Sequence, residues 1–158
     1  MADNADLIPW DDPIITSCVW PMCPSIVLWG ASGHAAIAGA VCASVLTSIF
    51  YHRAPFRTPT NWVYADYFCA GLAFILSVAA LFQHAFSGHD DLSQLILVTT
   101  LLATSAAFGC FYAAGEAHRA GDEEGYRKHH VAWHFFVSVG QLGASSFVYY
   151  QNKYIFLV

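Results

Sequence analysis

The pattern of hydrophobic and polar positions divides the chain into long apolar stretches separated by short polar links. Four stretches are long enough to be membrane-spanning helices, Ile26–Phe50, Trp62–Phe86, Ser93–Ala114 and Val131–Tyr150, since about 20 residues of helix cross a hydrocarbon layer of about 30 Å. The links carry the Pro, Gly and Asp residues that are typical of turns. None of the stretches alternates as barrel strands do, so helices are the expected way to satisfy the backbone in lipid.

The segment before the first stretch has a different character. Residues 1–25 are acidic and contain prolines, so we expect an irregular or interfacial lead-in there. A single transmembrane domain of four helices is expected over residues 26–158. The predicted fold class is therefore an all-α, polytopic membrane bundle.

The composition favours membrane insertion and excludes one class of partner. Hydrophobic residues make up 57% of the chain and charged residues 11%, with a mean hydropathy of +0.48, whereas soluble domains contain about 25% charged residues. A net charge of −5 with six Lys and Arg residues provides no basic surface for nucleic acid. The expected partners are membrane lipid and other membrane subunits.

The distribution of Lys and Arg predicts an orientation. Only Lys153 lies outside the links that follow the first and third predicted spans, and those links hold Arg53, Arg57, Arg119, Arg127 and Lys128. Because positive charge is retained on the cytoplasmic side, we expect these links to face the cytoplasm or its equivalent. Both termini are then expected on the non-cytoplasmic side, in a membrane that the sequence does not specify.

Five polar residues share one depth near the basic links: Ser48, His52, Asp66, His130 and His134. Residues four apart lie on one face of a helix, so Ser48 aligns with His52, and His130 aligns with His134. Ionisable residues within membrane spans are costly and usually functional. Their common depth predicts one shared site.

Three imidazoles beside a carboxylate and a hydroxyl are typical of a zinc site with an open coordination position. We expect His52, His130 and His134 to bind the metal, and zinc lowers the pKa of a bound water to about 7. Asp66 is then placed to accept a proton or to orient an imidazole. Ser48 is placed to hydrogen-bond the water or a developing oxyanion.

The order of these motifs resembles the CREST superfamily of membrane hydrolases, which includes alkaline ceramidases, adiponectin-receptor-like proteins and GPI-lipid-remodelling factors. The similar segments are TSIFYHR with Ser48 and His52, VYADYF with Asp66, and HHVAWHFFVSVG with His130 and His134. The resemblance implies that the three histidines bind zinc. It also implies that the serine and the aspartate support catalysis of lipid amide or ester hydrolysis. The family typically has seven spans, whereas four are expected here.

Two other classes of function remain open. His34 and His84 lie toward the opposite leaflet, and four-helix membrane bundles can hold haem b between facing histidines. Such an electron-transfer protein would leave Asp66 and Ser48 unexplained. The shortened family pattern also fits a non-catalytic subunit of a larger membrane complex, with or without a retained zinc site.

The cysteines add one further alternative. Cys42, Cys69 and Cys110 fall within predicted spans, where free thiols act as small apolar side chains. Cys18 and Cys23 precede the first predicted span, and a disulfide between them is left open by their spacing.

Overall fold

A computed structural model describes residues 7–56, 60–85 and 90–155, and every regular element in these ranges is an α-helix. The helices are α1 (Pro13–Val19), α2 (Cys23–Ala31), α3 (Ala35–His52), α4 (Trp62–Ala85), α5 (Asp91–Ala120) and α6 (Glu123–Ile155). The predicted all-α class is confirmed for this part of the chain. Arg57 and Phe86, which contributed to the predictions above, lie outside the described residues.

Five helical stretches are long and apolar enough to cross a membrane: Pro13–Ala31, Ala35–His52, Trp62–Ala85, Asp91–Ala120 and Glu123–Lys153. Their length and composition fit a multi-pass membrane protein. The predicted count of four spans is not confirmed, because α1 and α2 together form an additional stretch of 19 residues before α3.

The predicted span Ile26–Phe50 is wrong, because the chain turns at Gly33. Gly33 has a φ of +81° and donates its amide to the carbonyl of Gly30, at 3.1 Å. The His34 amide donates to the carbonyl of Trp29, at 2.9 Å. This pair of bonds is a Schellman ending, which favours glycine because side chains disfavour positive φ. Because the apolar pattern continues on both sides of the turn, the sequence pattern predicted one continuous helix there.

Two of the four prolines in residues 1–25, where we expected an irregular lead-in, instead lie at the starts of helices. Pro13 opens α1, and Pro24 lies in the first turn of α2, where the missing N–H has no helical partner to lose. The Asp12 carboxylate caps α1 by accepting the Ile14 amide, at 2.9 Å. Most of residues 13–31 is therefore helical.

α6 is the central element of the bundle. It packs against α1, α2, α4 and α5, and α3 packs against α1, α2 and α4. The fully buried core includes Trp29 and Phe147, while large apolar side chains such as Phe68 and Leu102 face outward. Inside, Gln141 accepts hydrogen bonds from the Trp29 indole and the Ser77 hydroxyl. Apolar residues outside and paired polar residues inside are the arrangement expected in lipid.

The segment before α1 lies at the same end of the bundle as the basic links. The Ile8 amide donates to the carbonyl of Arg53, at 3.0 Å, and the Arg53 guanidinium lies 4.0 Å from the ring centre of Trp10. Arg127 pairs with Asp12, with Nη2 and Oδ1 separated by 2.6 Å. The expectation that the N-terminal segment lies opposite these links is therefore not supported, and the additional stretch Pro13–Ala31 accounts for the difference.

The opposite end joins the start of α5 to the end of α6. The Asp90 carboxylate caps α5 by accepting the Ser93 amide at 2.8 Å, and it also accepts the Tyr150 hydroxyl at 2.6 Å. These bonds, from Tyr150 first and Ser93 second, lower the pKa of the Asp90 carboxyl. Asn152 donates to the carbonyl of Ser32, at 3.1 Å. The last turns of α6 therefore lie beside the α2–α3 turn.

Candidate metal centre

The three histidines selected from the sequence converge at the basic-link end of the bundle. His52 ends α3, and His130 and His134 lie one turn apart on α6. Their ring centres are 4.6 to 5.1 Å apart, and the Nε2 atoms of His52 and His130 are 3.0 Å apart. Each side chain is at most 5% exposed. The structure therefore brings the three imidazoles together in a buried cluster.

Ser17 fixes the orientation of His134. The Ser17 Oγ lies 2.9 Å from Nδ1 of His134 and 3.1 Å from the carbonyl oxygen of Ile14. When this hydroxyl donates to the carbonyl, its oxygen accepts a hydrogen bond from the ring N–H, so the ring proton is on Nδ1 and a lone pair is on Nε2. The Nε2 atom is buried and has no hydrogen-bond partner among the described residues. This is the form in which imidazole binds a metal.

Asp66 and Ser48 occupy the adjacent parts of α4 and α3. Their exposed fractions are 2% and 5%. The Ser48 side chain lies beside both the Asp66 carboxyl and the Cys18 thiol, and Thr47 also lies beside Asp66. Ser48 therefore connects the carboxyl to the cluster, although the catalytic roles of these two residues stay predictions.

Cys18 belongs to the cluster and was not selected as a ligand from the sequence. The ligand atoms of Cys18, His52 and His134 all lie within 4.8 Å of one another, and the three side chains are buried. Cys18 and Cys23 are free thiols, the first buried and the second exposed, so they do not form the disulfide left open above. Ile14 and Cys18 share the buried face of α1. Their spacing of four was the sequence signal for this helix.

The donor atoms suit a tetrahedral metal ion. Zinc bonds of about 2.0–2.1 Å to nitrogen and about 2.3 Å to sulfur hold neighbouring ligand atoms about 3.3 to 3.6 Å apart. The ligand atoms of Cys18, His52 and His134 lie within 4.8 Å of one another, a group that does not include His130, and Nε2 of His130 lies 3.0 Å from Nε2 of His52. Nitrogen and sulfur donors suit transition metals and zinc rather than magnesium or calcium. The buried group is therefore able to bind a metal, and its identity as zinc is a proposal.

Two cavities approach the cluster from different directions. One of about 210 Å³ includes His52 and Arg127 in its wall and lies beside the first basic link. The other, of about 350 Å³, lies between α4, α5 and α6 and is lined mainly by apolar side chains. Trp133, in the wall of the larger cavity, is in ring contact with two of the three histidines. The smaller cavity therefore reaches the cluster at His52 and has two charged residues, Glu123 and Arg127, in a largely apolar wall, whereas the larger cavity meets the cluster through Trp133.

His34 and His84 form a separate pair at the opposite end. Their ring centres are 6.0 Å apart with an interplanar angle of 77°. Nδ1 of His84 is hydrogen-bonded to the carbonyl of Ala80 at 2.8 Å, and Nε2 to Oδ1 of Asn152 at 3.0 Å. Because both ring nitrogens of His84 already have partners, haem ligation there would require breaking one of these bonds. This arrangement gives no support to the haem alternative.

Comparisons with known proteins supply no family for this chain. No protein-family model, curated protein or solved structure matches it. The resemblance to the CREST superfamily rests on the sequence motifs alone.

Proposed function

We propose that this protein is a zinc-dependent hydrolase that cleaves lipid amide or ester bonds at the membrane. The observation that carries the proposal is the convergence of three buried imidazoles, one of which, His134, has an unpartnered Nε2 atom. Buried polar atoms normally have partners. A cation bound by these nitrogens would be the partner that Nε2 of His134 lacks.

In this proposal His52, His130 and His134 hold the metal, while Asp66 and Ser48 act on water and substrate. When bound, zinc supplies Lewis acidity that polarises a carbonyl group and lets water ionise near neutral pH. The Asp66 carboxylate accepts the proton of the attacking water as a general base. The Ser48 hydroxyl lies beside this carboxylate and beside Cys18 of the cluster, where its single proton can be donated to a developing oxyanion.

The two cavities favour a substrate that has an apolar chain and a polar group. The apolar cavity of about 350 Å³ falls at the lower end of the range of about 300–1,000 Å³ that is typical of small-molecule sites. It suits one acyl chain entering from the bilayer. The cavity of about 210 Å³, with Glu123 and Arg127 in its wall, suits the polar part of the lipid.

The orientation of the site belongs to the same proposal. The end that carries Arg53, Arg127 and Lys128 faces the cytoplasm or its equivalent, because basic residues are retained on that side. The segment before α1 lies on this side too, and the end of α6 lies opposite. Terminal epitope tags that are probed before and after selective permeabilisation of cells test this arrangement. An N-terminal tag that is accessible only from the non-cytoplasmic side would contradict it.

Metal analysis of the purified full chain tests the metal site directly. The parent protein should contain about one zinc ion per chain, and His134→Ala should contain almost none, because it removes the unpartnered nitrogen. His129→Ala is the matched control, since His129 is in the same helix and only half-buried. Zinc near zero in the parent would overturn the proposal.

The reaction is tested separately with lipids. A panel of ceramides, other N-acyl lipids and acyl esters is incubated with zinc-loaded and with chelated protein, and the released fatty acid is measured. Cleavage by the loaded form alone supports the hydrolase. Bound zinc with no cleavage across the panel, by the parent and also by Cys18→Ala, which removes the neighbouring thiol, would contradict the reaction and leave the metal site.

A non-catalytic subunit is the second candidate function. One observation favours it: Ala35 and Gly39 of α3 are exposed, and a Cβ atom added at Gly39 would meet nothing within 4 Å. Small residues of this kind allow a second helix to approach closely in lipid. Purification only as part of a larger assembly, together with bound zinc and no lipid cleavage, would favour this candidate over the hydrolase.

A further inference from the structure

Cys18 differs from the other cysteines in its burial and in what faces it. All five thiols lie within the described residues, and Cys18 is the buried one, at 3% exposure. The thiol donates to the carbonyl of Ile14, at 3.1 Å, as cysteines in helices often do. The sulfur also lies beside Ser48 and within 4.8 Å of the ligand atoms of His52 and His134.

A second observation points to a cation at the same place. The Nε2 atom of His134 is buried without a partner, and the side chain of which it is part is 4% exposed. Ser17, the residue before Cys18, holds the other nitrogen of this ring at 2.9 Å. The same turn of α1 therefore orients the His134 ring through Ser17 and places the Cys18 sulfur beside that ring and His52.

We propose that the Cys18 thiolate is a ligand of the metal held by the histidines and closes the site in a resting state. This inference rests on the metal site of the proposed function and adds its regulation. A sulfur atom in the fourth position occupies the place that a catalytic water needs, because an open position is what distinguishes catalytic from structural zinc. Mixed nitrogen and sulfur donors suit zinc and cobalt.

Closure balances without a further reactant. Binding breaks the S–H bond, the sulfur donates an electron pair to the metal, and the water that leaves the fourth position carries the proton away. Opening is the reverse, because a water returns to the metal and the sulfur regains a proton. Closure therefore removes the position that a catalytic water needs.

Cobalt substitution gives a readout that is independent of activity. The full chain in detergent micelles, loaded with Co²⁺, should show a near-ultraviolet thiolate-to-cobalt charge-transfer band together with visible d–d bands. Cys18→Ala should lose the charge-transfer band and keep the d–d bands. Its affinity for Co²⁺ should fall by more than the about 10–100-fold typical of losing an outer-shell partner. Cys23→Ala, which changes an exposed thiol, should resemble the parent.

The outcomes separate this inference from the proposed function. A parent that binds no Co²⁺ or Zn²⁺ overturns both. A parent that shows d–d bands without the charge-transfer band overturns the role of Cys18 alone, and so does a band that survives in Cys18→Ala. If Cys18→Ala does not fold, zinc-edge X-ray absorption of the parent decides, because a sulfur at about 2.3 Å is required. A shell of nitrogen and oxygen alone contradicts the inference.

The regulatory part has its own measurement. Zinc-loaded Cys18→Ala should cleave the lipid that the parent cleaves at least about tenfold faster, because its fourth position is open. The cleavage rate of Cys18→Ala could instead be equal to or lower than that of the parent, while the charge-transfer band is assigned to Cys18. That result would contradict the resting state, and Cys18 would then be a structural ligand.

Discussion

The Nε2 atoms of His52 and His130 lie 3.0 Å apart, although the residues are separated by 78 positions in the chain. Two neutral imidazoles at this distance share a single hydrogen bond, with one ring donating to the other. A cation between the rings would instead use the lone pairs of both. The bound metal should therefore tie α3 to α6 more strongly than the hydrogen bond does.

Metal removal should lower the stability of the protein. Zinc at about 100 times its dissociation constant adds about 2.7 kcal/mol to the unfolding free energy, which corresponds to about 5–11 °C in Tm for a chain of this size. Thermal unfolding in micelles with zinc and with chelator measures the difference. His134→Ala should unfold at the same temperature in both conditions, and an equally large zinc shift in this variant would contradict the site.

Ser17→Ala should weaken metal binding without touching a ligand. The hydroxyl of Ser17 holds Nδ1 of His134, and losing such an outer partner typically costs about 10–100-fold in affinity. Competition with a metal-binding dye measures this loss. Thr16→Ala is the matched control, because the Thr16 hydroxyl bonds only to carbonyl oxygens near its own helix turn. Equal affinities for the two variants would exclude the positioning role of Ser17.

Asp66→Asn should abolish most hydrolysis and retain zinc. The substitution preserves shape and removes the base, so kcat should fall by about 10²–10⁴-fold. Fatty-acid release and metal content are measured on the same sample. Asp91→Asn, in the exposed first turn of α5, should leave both unchanged. Loss of zinc in Asp66→Asn would show that Asp66 holds the metal site together rather than acting on water.

The polar residues of the site could be predicted because polar and ionisable residues are rare and costly in membrane-spanning helices. Ser48, His52, Asp66, His130 and His134 are exceptions in apolar stretches, and helical spacing with common depth placed them together. Their chemical roles were inferred from residue type and family resemblance, and geometry alone does not assign them.

Cys18 and the turn at Gly33 were missed for a different reason. A cysteine is itself apolar in character, so nothing in the local pattern distinguished it from the core of α1. Its partner His134 lies on α6, and local periodicity carries no information about such a distant contact. The Gly33 turn interrupts an apolar run without adding polar residues beyond Ser32 and His34, so hydropathy continued through it.

Glycine substitutions should report on this turn. Gly33→Ala should cost about 1–2 kcal/mol of unfolding free energy, because alanine is strained at the φ of +81° found there. Gly39→Ala, in the open middle of α3, should instead stabilise by about 0.5–1 kcal/mol. Chemical unfolding in mixed micelles measures both. If α2 and α3 formed one continuous helix, Gly33→Ala would also be stabilising.

Removal of the Arg127 side chain's charge should loosen α1 from α6. Arg127 contacts both carboxylate oxygens of Asp12, which also caps α1, so Arg127→Gln should cost about 1 kcal/mol, or about 2–4 °C in Tm. The comparison is Arg119→Gln in the pair with Glu116, whose side chains are 67% and 51% exposed. That change should cost less than about 0.5 kcal/mol. Equal losses of unfolding free energy in the two variants would mean that the pair of Arg127 and Asp12 does not stabilise the packing of α1 against α6.

The bond between Ser17 and His134 spans 117 positions of the chain, and this separation sets an order of events during synthesis. Ribosomal elongation delivers α1 through α5 to the bilayer before the histidines of α6 exist. Throughout that interval Ser17 and His52 lack their partners His134 and His130, which α6 supplies. Insertion of α6 and capture of the cation then become a single late step, so cells starved of the metal should accumulate chains whose helices are inserted but not yet packed together.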